Sequence, residues 1–390
     1  MNKIKYRSLL ILFFSILPIV DSINGFMLTE HRGDIGQLYK ISLIILVTIY
    51  FFRMKTFTYR EVIGLIFPII YTILSMSLNF IIKMNRIPTY DHAIKLIYNL
   101  TLMQLLFILI KRKNIDKYFF EKIFTNNSFF VLLVILIPWI LNMGYSVYST
   151  GQGYKGFYYA QNELNAILLI LYLYNINKSF KDVKMTNFLI TILIGFCLVL
   201  LETKSSIILG TIISLIFIVY YIVVKKFKYK IVVVISIFCL IPIIVKMLQP
   251  IVESFLYRQY YLSQNFNNSF FAYFSSGRVL YMINAFNYLK TNSFFILKLI
   301  IGNGFIGLNL VEMDIIDIFL YLGIIGVVYI LIIMYKLIIN TIKNKNSTLD
   351  LFSLFIILTF SFFTGHVLFM TTSGIYFVLF CCYKSTNFNN

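Results

Sequence analysis

Three carboxylates fall within six residues, Glu312, Asp314 and Asp317, where a long polar connection runs into an apolar stretch in VEMDIIDIFLYLGIIG. A carboxylate at such a boundary can act as a general base when partial burial tunes it. Acids in the first turn of a helix are also ordinary partners for its positive dipole end, and Asp314 and Asp317 would share one face at i,i+3. Upstream, Arg278 in SSGRVLYMINAFNYLK carries a donor fork that matches phosphate oxygens. At a membrane boundary the same side chain can instead snorkel or meet lipid headgroups. Arg258, in ESFLYRQYYLSQN, offers similar chemistry. Lys204 shares LETKSSIILG with Glu202, between two apolar runs, so the pair must be satisfied inside the protein or at its mouth. Lys155, Asn162 and Glu163 lie in GYSVYSTGQGYKGFYYAQNELNAI, a mix of Tyr, Gly and amides that suits a re-entrant or carbohydrate-facing loop.

Other chemistries find little support. His31 and His92 have no ligand partners at metal spacing, His366 stands alone at a turn, and the four cysteines (Cys197, Cys239, Cys381, Cys382) sit in apolar runs as small hydrophobes. No metal, cofactor or disulfide framework is expected. The connections expected to be cytoplasmic are short, without a phosphate-cradling glycine loop, which argues against direct use of a nucleotide.

The chain that must position these residues is 60% hydrophobic and 13% charged, with mean hydropathy +0.86, which excludes a soluble domain. The fold expected is all-α and polytopic: one integral membrane domain over 1–390. Apolar runs predict about twelve helices, near 8–24, 37–52, 62–82, 94–110, 128–143, 162–176, 187–202, 205–224, 231–247, 315–335, 349–364 and 366–382. The basic start followed by an apolar run lacks a clear cleavage site, so it reads as a retained span. A net charge of +19 would point to nucleic acid in a soluble protein. Here the bases gather in alternate connections, which places both termini in the cytoplasm and needs no nucleic-acid partner. Most acids then fall outside, with an outer loop at 144–162 and a large one at 247–314. The latter should hold an interfacial helix, capped by Ser275 or Ser276, with Val279, Met282, Ile283 and Phe286 on its apolar face and Arg278, Tyr281 and Tyr288 on another. Gly323 and Gly326 read as small residues for close helix packing.

The order SGR, amphipathic helix, IIGNGFIG, VEMDIIDIFLYLGIIG resembles the O-antigen polymerase and ligase superfamily of bacterial envelope polysaccharide assembly. GYKGFYYAQNELNAILL and LETKSSIILG are similar to its Gram-positive polysaccharide-polymerase branch. The resemblance covers about 154–335. It implies a GT-C-like multi-span enzyme that uses undecaprenyl-diphosphate-linked oligosaccharide without metal or nucleotide, alongside membrane lipids, a chain-length regulator and a flippase. It places the family's diphosphate-contacting arginine on Arg278. Ligases carry a histidine eleven positions before the glycine turn, and that position here is Glu312, which favours a polymerase. By the same resemblance Glu312 and Asp314 would be catalytic. Arg258, Lys204, Lys155, Asn162, Glu163, Asp317 and Tyr281 would bind substrate. The rival expectation is a flippase of the same unit, which would carry charges within its spans.

Overall fold

A computed structural model describes residues 3–53, 58–82, 90–148, 151–182, 184–224, 277–290, 294–305, 310–343, 348–364 and 367–386, with isolated positions between 253 and 275. The fold is all-α, with fourteen helices among the described residues. The first expected span is two arms, α1 (Lys3–Ser15) and α2 (Leu17–Thr29), bent by 42°. Pro18, in the first turn of α2, has no N–H to continue the ladder of α1. There follow α3 (Ile35–Phe52), α4 (Tyr59–Ile82), α5 (Tyr90–Lys111), α6 (Lys117–Ile140), α7 (Gln161–Lys181), α8 (Met185–Leu200) and α9 (Lys204–Val224). The C-terminal part holds α10 (Arg278–Lys290), α11 (Phe295–Ile301), α12 (Asp314–Lys343), α13 (Thr348–Thr364) and α14 (Thr371–Ser385). Asp34 and Asp116 start α3 and α6 by accepting from the N–H of Gln37 and Phe119, and Thr203 does the same for Ser206 at α9.

Helices α3, α4, α5, α6 and α12 are long and apolar enough to cross a membrane, and the bent α1–α2 pair makes a sixth candidate. This supports a multi-pass membrane protein, but twelve spans are not seen. Helices α8, α9 and α13 give only shorter apolar stretches, and the run at 231–247 lies outside the described residues. The runs at 162–176 and 366–382 became α7 and α14, the centre of the bundle, where every residue from 164 to 177 and from 372 to 385 is buried. Their polar side chains bond to protein rather than facing lipid: Asn175 donates to Ser128 and Asn177 to Ser353, each at 2.7 Å. Such interhelical bonds contribute about 0.6 kcal/mol each.

Contacts sort the charged residues into two ends. At one, Arg7 pairs with Asp116, Arg112 with Glu61, and Asp350 with both Lys384 and Lys181. These bases belong to the segments expected to be cytoplasmic. At the other, Asp21 meets Lys40, Arg278 meets Glu312, and the hairpin at 144–160 docks through the N–H of Tyr154 on the carbonyl of Leu200.

One element departs from a simple bundle. Helix α12 is broken at Gly323 (φ 64°, ψ −165°), which leaves carbonyls without helical partners. The connection after α11 supplies donors. Asn303 N–H reaches Leu320 O at 2.8 Å and Gly304 N–H reaches Tyr321 O at 3.0 Å, while Tyr71 of α4 donates to Leu322 O at 2.7 Å. From α4, Ser75 and Asn79 donate in turn to the carbonyls of Ile301 and Gly302. Gly323 therefore breaks the helix, where close helix packing was expected of it. A Cβ there would stand 2.3 Å from Ile300 O, and one on Gly302 would stand 2.2 Å from Tyr321 O. Non-helical backbone survives at membrane depth only when protein satisfies it in this way.

Candidate functional site

Arg278 opens α10, where Ser275 accepts from the N–H of Val279 at 3.2 Å and so fills the expected capping role. The helix lies a little differently from the pattern expected. Ala285 and Leu289 are buried, Ile283 is exposed, and Arg278 turns inward with them, its side chain 14% exposed. Tyr281, expected beside Arg278, faces out at 55% exposure. The reason is that an arginine with an acid waiting across the interface gains more by pairing than by snorkelling. That acid is Glu312: Nη2 of Arg278 lies 3.0 Å from its carboxylate. Glu312 adopts φ 69°, a region that L residues rarely occupy, and its side chain is 37% exposed. The Nε of Arg278 is buried with no hydrogen-bond partner among the described residues, so donor capacity remains for an anion.

The other two acids turn into the protein. Asp317 is fully buried and accepts from the N–H of Val311 at 2.7 Å and of Met313 at 3.1 Å, folding the turn that carries Glu312. Asp314, also fully buried, accepts from the Ser361 hydroxyl and from the N–H of Val367 at 3.2 Å and Leu368 at 3.1 Å. It thereby clamps the segment leading into α14. Glu312 is thus the reachable carboxylate of the three, and its neighbours are its mount.

Asn162 and Glu163 lie in the first turn of α7, Lys204 opens α9, and Lys155 lies in the hairpin before α7. Asn165 of α7 donates to the hydroxyls of Thr203 at 3.2 Å and Ser205 at 2.7 Å, tying the start of α7 to the start of α9, where Lys204 is the first residue. The hairpin folds over this junction, and Lys155 donates to the carbonyl of Tyr159 at 2.8 Å. Burial pushes the Lys155 amine below its ordinary pKa. Arg258 lies outside the described residues, as do His366 and Cys239. Cys197, Cys381 and Cys382 are free and buried.

Two polar constellations escaped the sequence reading. Tyr71, Ser75 and Asn79 form an i,i+4 ladder on α4 that braces the broken helix, and this spacing was legible in the sequence. Asp21 sits in α2, 8% exposed, with Lys40 of α3 and Thr372 of α14 against it. An acid inside the apolar run LPIVDSINGF was its signal. The segment 367–372 lies between this cluster and Asp314, and Asn99 of α5 holds it by donating to the carbonyls of Leu368 and Met370, both at 2.9 Å.

No protein-family model, curated protein or solved structure matches this chain. Among the described residues no group of histidines, cysteines and acids could hold a metal ion.

Proposed function

We propose that the chain is a polysaccharide polymerase: an integral membrane glycosyltransferase that joins undecaprenyl-diphosphate-linked oligosaccharide repeat units on the outer face of the cytoplasmic membrane, without metal or nucleotide. The observation that carries this reading is the meeting of Arg278 with Glu312, two residues that the motif resemblance marks separately, the first as the diphosphate contact and the second as catalytic. The acceptor's terminal hydroxyl attacks the anomeric carbon of the donor chain, a new glycosidic C–O bond forms, and the C–O bond to the diphosphate breaks. Arg278 takes the charge that develops on the departing diphosphate, a preorganised electrostatic role. Glu312 orients the attacking hydroxyl and takes its proton, which then passes to water. Asp314 and Asp317 position Glu312.

A second reading, a transporter of the same lipid-linked unit, is favoured by the broken helix α12 and by the Asp21–Lys40 pair inside the bundle, features of transporter sites. Gel analysis of lipid-linked glycans from a deletion strain, complemented with wild type or Arg278→Ala, separates them. Loss of long polymer while single units still reach the outer face supports the polymerase. Units trapped on the cytoplasmic face would make it a flippase, and finished polymer left on its lipid would make it a ligase.

A further inference from the structure

Arg278 and Glu312 cannot hold each other and do the work proposed for them at the same time. Nη2 of the guanidinium and Oε2 of the carboxylate stand 3.0 Å apart, so Glu312 faces the arginine rather than an acceptor hydroxyl. A diphosphate arriving at Arg278 likewise meets a negative charge already seated there.

The two partners differ in how freely they can part. Arg278 is held: Ser275 caps α10, and the arginine side chain is 14% exposed, with its Nε buried and without a hydrogen-bond partner among the described residues. Glu312 is 37% exposed, and Asp317 accepts from the N–H groups on either side of it, those of Val311 and Met313. Its backbone is therefore fixed, while its side chain has open space to swing into. An ion pair with one partner this open contributes little net stability. The unfilled Nε also means that the carboxylate meets the guanidinium fork incompletely, whereas a phosphate group can match such a fork with parallel bonds. A diphosphate can thus displace Glu312 by moving one side chain and no backbone.

We propose that Glu312 is a latch on Arg278, released when the donor diphosphate takes the guanidinium, so that the carboxylate turns to the acceptor hydroxyl only once a donor is bound. This rests on the polymerase reading and adds an order of events to it, donor first and acceptor activation second. Ion pairs are exchanged in the release, and no covalent bond changes until the acceptor attacks.

Calorimetric titration of the purified full chain in lipid nanodiscs with farnesyl diphosphate, against empty nanodiscs, tests it. Glu312→Gln should lose polymer and yet bind the diphosphate at least about fivefold more tightly than wild type, because neither a competing partner nor a like charge remains beside Arg278. Glu312→Gly should do the same, and a glycine accepts φ 69° without strain, so this variant relieves the turn as it removes the latch. The gain should vanish in an Arg278→Gln background, since it acts through the guanidinium. Equal or weaker affinity in both Glu312 variants overturns the latch and leaves the polymerase reading standing. A gain of the same size without Arg278 does so too, because it marks simple charge repulsion. Lack of binding by wild type and variants alike overturns the diphosphate role of Arg278, and the latch with it.

Discussion

Arg278 and Glu312 stand 34 positions apart and meet because two local devices aim them. The Ser275 cap fixes where α10 begins, and Asp317 gathers the N–H groups of the turn that holds Glu312 at positive φ. A non-glycine residue held there carries about 1–3 kcal/mol of strain, which persists only when the surroundings over-determine it. The pair needs a fork as well as a charge, because a lysine offers a point charge where the guanidinium offers fixed, planar donors. Arg278→Lys should therefore insert normally and still lose polymer by at least about tenfold, read from the same glycan gels. Polymer at the wild-type level would show that charge alone suffices.

At the scale of elements, the interlock of α11 with the broken α12 supports the site from below. Gly302 (φ 83°) and Gly323 (φ 64°) lie at this crossing: a methyl group on Gly302 would collide with the backbone of Tyr321 and Leu322, and one on Gly323 with that of Ile300 and Gly302. Gly302→Ala and Gly323→Ala should each lower stability by roughly 2–4 kcal/mol, combining a left-handed backbone cost with overpacking. Gly64, in the second turn of α4, where an added Cβ would have its nearest neighbour at 3.7 Å, is the control: Gly64→Ala should be neutral or stabilising by about 0.5–1 kcal/mol. Thermal unfolding in detergent, followed by loss of monodisperse protein, ranks the three. Equal effects would mean that the break tolerates ordinary residues.

The whole molecule is a bundle fastened at both ends around α7 and α14. At the basic end Asp350 and Lys384 are each 1% exposed and paired, with Lys181 adding a second contact at 3.1 Å. Asp350→Asn leaves a buried ammonium without its counter-charge and should cost about 3–5 kcal/mol, read in the same unfolding assay. A change under about 1 kcal/mol would show that water reaches this end. The two ends also make a topology prediction. In a Cys239→Ser background, Ser146→Cys in the hairpin should react with a membrane-impermeant thiol reagent on intact cells, and Lys184→Cys should react only after permeabilisation. The buried native cysteines should stay silent. The reverse pattern would invert the orientation expected from the basic segments.

Composition and the long unbroken apolar runs pointed to the membrane class and the all-α fold, because such a run satisfies its backbone within itself as a helix, whereas barrel strands are shorter and alternate. Motif order in the sequence also singled out Arg278 and Glu312, and the face of α10 was nearly right. The count of spans was not legible, since a polar helix that bonds to protein and an apolar helix that faces lipid differ in their surroundings more than in their own residues. Only tertiary structure decided that α7 and α14 are central, that Gly323 breaks α12 so that α11 can fill the gap, and that Glu312, among three neighbouring acids, is the reachable one. The same holds for Asp21 and Lys40, which lie on two helices and pair only when those helices pack.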